Sequence, residues 1–551
     1  MQPIIECVPN FSEGRDSGII RQITDQIESV EGVRLLNVDP GQATNRTVVT
    51  FVGHPEAVVE ASFLAIRKAG ELIDMSRHRG AHPRMGATDV CPFIPVSGIT
   101  MEETAAFARQ LAERVGKELA IPVYLYEAAQ PDKSRSNLAQ IRAGEYEGFF
   151  EKIKKPEWKP DFGPAVFDAK RGATVIGARD FLVAYNINLN TTSTRRANAV
   201  AFDVREAGRS VMENGVKVNK PGSLKCVKAI GWYIEEYGMA QISMNLTNLS
   251  VTPIHIAFDE VCRKAEARGI RVTGSELVGL VPLQAMLDAG KYFLRKQKRS
   301  TGISEKELIR IAVRSLGLEE LCPFKPEERI IEYMLRKKED SRLVGMPLRD
   351  FSDMTASESP APGGGSVAAY LGALAASLGA MVANLSSHKK GWDERWEEFS
   401  NWAEQGQAIK DELLHLVDAD TRAFNLVIAA MGLPKGTADE VETRQRSIQE
   451  ATRIAIEVPF RVMEQAAAAL PLLKAMAETG NPNSVSDAGV GAVCARSAVM
   501  GAFMNVRINA SGVEDKVFVD ELLARGREIE NKAIALESEI LKIVNEKIGA
   551  Q

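Results

Sequence analysis

Arg336-Lys-Lys-Glu-Asp-Ser-Arg342 is the stretch on which the reading of the fold turns. It is charged and has no apolar period, so it reads as solvated linker. Upstream of it, short β-rich runs alternate with amphipathic helical stretches. Downstream, strand signals vanish, alanine becomes frequent, and helix-period segments follow one another to the C-terminus. The expected fold is therefore multi-domain: two α/β (α+β sandwich-like) subdomains followed by an all-α helical bundle. The subdomains read as residues 1–180 and 181–332, the linker as 333–345 and the bundle as 346–551.

Within the first subdomain, residues 33–38, 47–52 and 123–126 read as strands, and 55–75 and 101–119 as helices. In the second, 181–189 and 239–246 read as strands, and 253–268 and 281–290 as helices. A chain of 551 residues is too long for one core, and 45% hydrophobic with 26% charged residues is ordinary for soluble globular protein. The net charge of -5 gives no overall pull toward nucleic acid, so any anion recognition must be local.

Six scattered cysteines with no CxxC spacing suit reduced thiols in a cytoplasmic protein. The N-terminus lacks the basic and apolar regions of a secretory signal. Residues 363–387 carry no charge, but Leu371, Leu374, Leu378, Met381 and Leu385 recur at spacings of three and four. That pattern reads as the seam of a packed helix in preference to a membrane span.

Chemistry concentrates in Ser76-Arg-His-Arg-Gly-Ala-His-Pro-Arg-Met-Gly86. Gly80 and Gly86 permit sharp turns, and Pro83 pushes His82 out of helical backbone. An imidazole held among Arg77, Arg79 and Arg84 suits proton transfer beside an anionic substrate; an idle histidine on a surface loop is the competing reading. His78 and His82 have the spacing of two ligands on one helical face, but Gly80 and Pro83 oppose a helix and no Glu follows His78, so no metal is expected. Asp39, at the end of the strand 34–38, could orient such an imidazole or cap its own turn. The segment from Gly163 through Pro164, Ala165, Val166, Phe167, Asp168, Ala169, Lys170 and Arg171 to Gly172 mixes aromatic and basic residues. It suits a flat, carboxylate-bearing ligand, or is a linker.

In the bundle, Gly363, Gly364, Gly365 and Ser366 lead directly into a helix, where exposed N–H groups form either an anion site or a tight corner. On a wheel of ~100° per residue, Leu413, Val417, Asp420, Phe424, Val427 and Met431 share a stripe about 80° wide, with Asp418 about 160° from Asp420. Asp420 on an apolar face is paired with a cation, or has a raised pKa and a role in acid/base chemistry. Asp418 is expected to face away and to matter less. Gly489-Val-Gly-Ala-Val493 follows no strand, so no nicotinamide site is read there.

Six stretches in order, Glu6–Gly14, His82–Gly86 with Asp89–Pro95, Pro160–Pro164, Leu277–Pro282, Pro362–Ser366 and Val417–Asp420, carry a resemblance over essentially the whole length. The chain resembles the bifunctional formimidoyltransferase-cyclodeaminases of histidine degradation and folate one-carbon metabolism. The resemblance implies transfer of a formimino group from N-formimino-L-glutamate to N5 of tetrahydrofolate, then cyclisation to 5,10-methenyltetrahydrofolate with loss of ammonia. It implies His82 as transferase acid/base, Gly163–Gly172 as folate contact and Asp420 as cyclodeaminase acid/base. Ala81 stands where relatives carry an acidic residue. Tetrahydrofolate, with or without a polyglutamate tail, would be a co-substrate, with neither metal nor NAD required. The alternatives are a cyclohydrolase in the helical half or a non-catalytic folate-binding protein. A homo-oligomer through the helical domain is expected, since the small-residue seam 368–385 suits a subunit interface as well as a core; no nucleic-acid or membrane partner is expected.

Overall fold

The computed structural model describes residues 3–41, 45–80, 84–213, 216–335 and 342–549. Two compact units form, one from Met1–Ala285 with Leu318–Leu335, the other from Met286–Gly317 with Arg336–Gln551. Residues 336–341 of the expected linker lie outside the described residues.

The first unit opens on a seven-stranded sheet of β1 (Ile4–Cys7), β2 (Asn10–Phe11), β3 (Val33–Gly41), β4 (Arg46–Gly53), β5 (Thr88–Ser97), β6 (Val123–Glu127) and β7 (Thr174–Ala178). The order is β1-β4-β2-β5-β7-β6, with β3 outside β4. β7 pairs in parallel with β5 and β6, and the other ladders are antiparallel. Helices Ser17–Glu28, Pro55–Leu72 and Met101–Glu118 bring Ile23, Phe63 and Leu111 into a core with Phe51 and Phe93. The last helix starts at a capping box between Thr100 and Glu103. β3 does not end at residue 38; it runs through Asp39 and Pro40 to Gly41, and its outer side pairs with no strand among the described residues, where proline costs no ladder bond.

A four-stranded antiparallel sheet follows in the order β11-β12-β8-β13, from β8 (Val183–Leu189), β11 (Val227–Ile234), β12 (Met239–Leu246) and β13 (Val272–Val278). A separate hairpin pairs β9 (Arg209–Glu213) with β10 (Val216–Lys220). In β11 the inward positions are Val227, Ala229 and Gly231, while Ile230 and Trp232 are exposed. Apolarity therefore does not mark its buried face.

The second unit is built on helices Gly364–Ser387, Trp396–Met431, Ala438–Thr479, Val485–Ala510 and Lys516–Gly549. The seam of Gly364–Ser387 differs from the one expected: Leu374, Met381 and Leu385 are exposed and Leu371 and Leu378 half-buried, whereas Ala368, Gly372, Ala376 and Gly379 are buried. A methyl on Gly379 would sit 2.8 Å from Leu472 Cδ2, so the close helix approach demands the small face and turns the leucines out. Gly364–Ser387 and Pro482–Ala510 are long and apolar enough to cross a membrane by composition, and 61% and 50% of their most apolar windows lie buried inside the structure. Residues 286–317, from the range read as second subdomain, pack with these helices: Thr301 N donates to Ser400 Oγ at 3.0 Å and Asn384 Nδ2 to Gly302 O at 2.8 Å.

Candidate active sites

His82 lies outside the described residues, which resume at Arg84. Ahead of it, His78 is buried; its Nε2 faces Asn45 O at 2.9 Å and its Nδ1 accepts from Arg84 Nε at 3.2 Å. Both ring nitrogens are thus engaged, which leaves His78 no lone pair for a metal. Asn45 Nδ2 also donates to Arg79 O at 3.1 Å. After it, Arg84 is buried, with Nη2 2.6 Å from Glu147 Oε1 and Nη1 3.2 Å from Glu145 Oε2. Gly86 bridges Gly172, and a Cβ on Gly86 would meet Ala173 O at 2.3 Å, so only glycine fits there.

Two hollows of about 650 Å³ each lie in the first unit and share Arg46, Arg179 and Leu182. One is walled by Arg142, Tyr126 and Lys228, the other by Glu6, Asp39 and Arg329. Arg46 lines both hollows, whereas the arginines read from the sequence around His82 do not. Arg77 is exposed and pairs with Asp74, Arg79 donates to His78 O, and Arg84 is taken by the two glutamates.

The cleft's charge is organised by Asp89, whose Oδ2 lies 2.7 Å from Arg142 Nη2 and whose Oδ1 accepts from Met85 N at 2.9 Å. Burial pushes its carboxyl up to about 6 against the pull of Arg142 and Arg46. Glu6, on β1, is also buried; desolvation pushes it up to about 7 although Arg179 opposes the shift. Asp39 sits within the β3 ladder opposite Val48 and lines the same hollow as Glu6. Its pairing with His82 falls outside the described residues.

The segment Gly163–Gly172 ends beside the His82 segment, with Ala87 N donating to Arg171 O at 2.8 Å. Its side chains are largely engaged with the protein itself. Phe167 packs 5.5 Å from Tyr146 and 5.7 Å from Phe150. Asp168 accepts from Lys170 N and Arg171 N, Arg171 also donates to Leu119 O, and Lys170 donates to Glu71 O. Lys170 and Arg171 border a separate hollow of about 410 Å³, and Val166 is exposed.

In the helical unit, Asp420 and the Gly363–Ser366 turn come together. Asp420 Oδ2 accepts from Ser366 Oγ at 3.1 Å, and a Cβ on Gly365 would lie 2.1 Å from Oδ1. Its pKa is raised by desolvation, against hydrogen bonds from the Ser366 hydroxyl and backbone. Ser366 Oγ also lies 2.9 Å from Val417 O. The hydroxyl can give its hydrogen to that carbonyl and accept from a protonated Asp420, or turn to donate to the ionised form. The site therefore accommodates both protonation states, as an acid/base group requires.

Asp418 is not the outward residue expected. It is buried and accepts from Leu343 N at 2.8 Å and Val344 N at 3.3 Å, since a chain segment packs over that side of the helix. The apolar stripe continues past Asp420, but Phe424 and Met431 are exposed.

Residues 4–179 match the model of the formiminotransferase domain, N-terminal subdomain, residues 184–336 that of the formiminotransferase domain, and residues 347–528 that of formiminotransferase-cyclodeaminase. A formimidoyltransferase-cyclodeaminase of Gallus gallus is 47% identical over 522 residues, 95% of either chain. The chain belongs to the formimidoyltransferase-cyclodeaminase family. A glutamate formimidoyltransferase of Thermoplasma acidophilum matches at 46% identity over 53% of this chain and 92% of its own. A methenyltetrahydrofolate cyclohydrolase of Methylorubrum extorquens matches at 35% over 37% of this chain and 97% of its own.

Several residues now placed at the sites of this family member carry no recognised sequence signal. Arg142 reaches Asp89 across 53 positions, and Arg179, just after β7, lines the cleft together with Glu6 of β1. Asn505 approaches the glycine turn, its Nδ2 3.4 Å from where a Cβ of Gly364 would be. Of these, only Glu6 and Asp89 lie inside stretches that mark the family.

Proposed function

We propose that the chain is a bifunctional folate enzyme that transfers a formimino group from N-formimino-L-glutamate to N5 of tetrahydrofolate and then closes the product to 5,10-methenyltetrahydrofolate with release of ammonia. The observation that carries this reading is the 47% identity to a formimidoyltransferase-cyclodeaminase over 95% of both chains. The Asp420 carboxyl, held against glycine with its pKa raised, supports the second half of it.

In the transfer, N5 attacks the amidine carbon, the C–N bond to glutamate breaks, and the amine departs. His82 takes the N5 proton and returns one to the departing nitrogen. The dicarboxylate and the folate glutamate need cations, and the cleft supplies Arg46, Arg142 and Arg179. Arg142→Gln should raise KM for one of these substrates by about 10- to 100-fold, the worth of a charge-assisted hydrogen bond; unchanged KM values would remove Arg142 from binding. Gly163–Gly172 serves as an outer wall of the folate site, since its end is paired to the segment that follows His82. In the second reaction N10 closes on the same carbon and ammonia leaves, with Asp420 relaying the proton.

The 35% identity of the helical half to a methenyltetrahydrofolate cyclohydrolase favours one second reading, hydrolysis of the methenyl bridge. Supplying 5-formimidoyltetrahydrofolate and following methenyl absorbance with ammonia decides between them. Stoichiometric formation of both supports cyclodeamination, while absorbance that falls on supplied methenylfolate without ammonia supports the hydrolase. His82→Ala should abolish transfer and spare cyclisation, and equal loss of both would contradict two separate sites.

Self-association through the helical unit and a cytoplasmic location complete the proposal. The exposed Val367, Leu374, Met381 and Leu385 on one helix support the first. Six cysteines with free thiols suit the second.

A further inference from the structure

Arg142 reaches the cleft from the last position of the helix Leu138–Arg142, which is only five residues long. So short a helix cannot hold itself in water, and its geometry must be imposed from outside. Three contacts impose it. Asn137 caps its start, with Oδ1 accepting from Ala139 N at 2.9 Å. Ile141 is buried in a cluster with Tyr124 and Phe149. At the far end, carbonyls that a helix leaves unpaired are gathered by one side chain: Lys152 Nζ donates to Gln140 O at 2.7 Å, Ile141 O at 2.7 Å and Ala143 O at 3.0 Å. Three carbonyls match the three hydrogens of an ammonium. The Trp158 ring lies 3.9 Å from Nζ, and burial with Lys155 nearby brings the group down to about 8, so it is still mostly cationic at pH 7.

The guanidinium held out by this frame is only partly engaged. Its Nη2 lies 2.7 Å from Asp89 Oδ2, and Asp89 is itself tied to Met85 N. Among the described residues, Nε is buried without a hydrogen-bond partner and Nη1 donates to none. One edge of the fork is thus fixed while hydrogens are left over in a residue that lines the hollow.

We propose that Lys152 and Asp89 are positioning residues of the transferase reaction, which hold Arg142 from two sides as the anchor for a glutamyl carboxylate of the substrate. The inference deepens the reading of the cleft as the place of the anionic substrates and rests on it. Pairing of a guanidinium with a carboxylate is directional, so a fork already held in place binds with less ordering cost than a loose one. Neither Lys152 nor Asp89 lines the hollows of the cleft, and both touch the helix end or the guanidinium of Arg142. Without the ammonium, the terminal turn that carries Arg142 loses the partners of its carbonyls.

The experiment measures kcat and both KM values of formimino transfer in the full-length protein. Lys152→Met keeps an unbranched stem but offers no hydrogen. It should raise the KM of the substrate that Arg142→Gln affects by about 10-fold, roughly one charge-assisted hydrogen bond. The kcat should change far less, because an anchor made equally in ground and transition states appears in KM alone. Lys152→Arg, which can still donate to the carbonyls, should recover most of the loss. In the Arg142→Gln background Lys152→Met should add nothing to KM, since it acts only through the missing guanidinium. Asp89→Asn loosens the other anchor and is read in the same way, so unfolding of one variant leaves the proposal open to refutation by the other. Unchanged KM in Lys152→Met or Asp89→Asn, additive effects in the double variant, or a fall in kcat with KM constant would overturn it. Unchanged KM values in Arg142→Gln would instead strike the underlying reading of the cleft.

Discussion

The carboxylate of Asp420 occupies the space in which Gly365 would carry its side chain, 2.1 Å between Oδ1 and an ideal Cβ. Gly365→Ala must therefore move either the helix start or the carboxyl, and both backbone and Ser366 contacts would change. Cyclisation should fall by about 10²-fold, the low end of what a positioned acid/base group contributes, with formimino transfer unaltered. Ammonia release near wild-type rate would show that the close approach is not needed.

Asp420→Asn should separate activity from stability. The folded-state pKa of Asp420 is raised, so its favourable contribution is present below the ordinary aspartate value and is lost as pH rises through the folded value. At pH 7 the neutral amide avoids burying a charge, and the variant should unfold at higher temperature than wild type while releasing little ammonia. Below pH ~4, the ordinary aspartate pKa, the difference should vanish. A variant less stable than wild type at pH 7 would contradict the assignment of burial as the dominant cause.

Asp418 has a different task, receiving two backbone N–H groups from Leu343 and Val344. Asn can accept with one oxygen only and would turn its amide hydrogens toward the other donor. Asp418→Asn should cost about 1–3 kcal/mol in urea unfolding of the helical half, with normal ammonia release wherever the protein remains folded. An unchanged midpoint would mean the segment is held by other contacts.

Glu6 ionises in the neutral range, since burial holds its carboxyl near 7. Below that pH it is neutral; above it, a negative charge enters the cleft proposed to take the anionic substrates. KM for the substrate seated beside it should rise over roughly one pH unit about the folded value, and Glu6→Gln should flatten that rise. Identical KM profiles in the two proteins would place Glu6 away from either substrate.

Leu374→Glu with Met381→Glu puts charge on the exposed apolar side of a helix whose other side is packed. Sedimentation should report a smaller assembly than wild type with the helical content retained. An unaltered assembly would move the interface elsewhere.

The division into a sheet-bearing half and a helical half is legible in periodicity, because hydrophobic repeats of two or of 3.6 residues reflect local geometry. Strand β8 and the helices Pro55–Leu72 and Met101–Glu118 fall within a few residues of the ranges that pattern indicates. The same pattern misassigns the helix Gly364–Ser387: apolarity points to its leucines, yet distance of closest approach selects its alanines and glycines. It also turns Asp418 outward, because a helical wheel says nothing of a segment 75 residues away that covers the other face.

By itself the sequence determined the two-part architecture and the family to which the chain belongs. Tertiary structure alone decided that Asp420 is cradled by Gly365 and Ser366, that His78 faces Arg84, and that Asp89 draws Arg142 to the cleft. The physical reason is that a residue's period along the chain is set by neighbours a turn or a pleat away. Its charge state and partners are set by groups that folding brings from 54 or 53 positions off, as for Ser366 with Asp420 and Asp89 with Arg142.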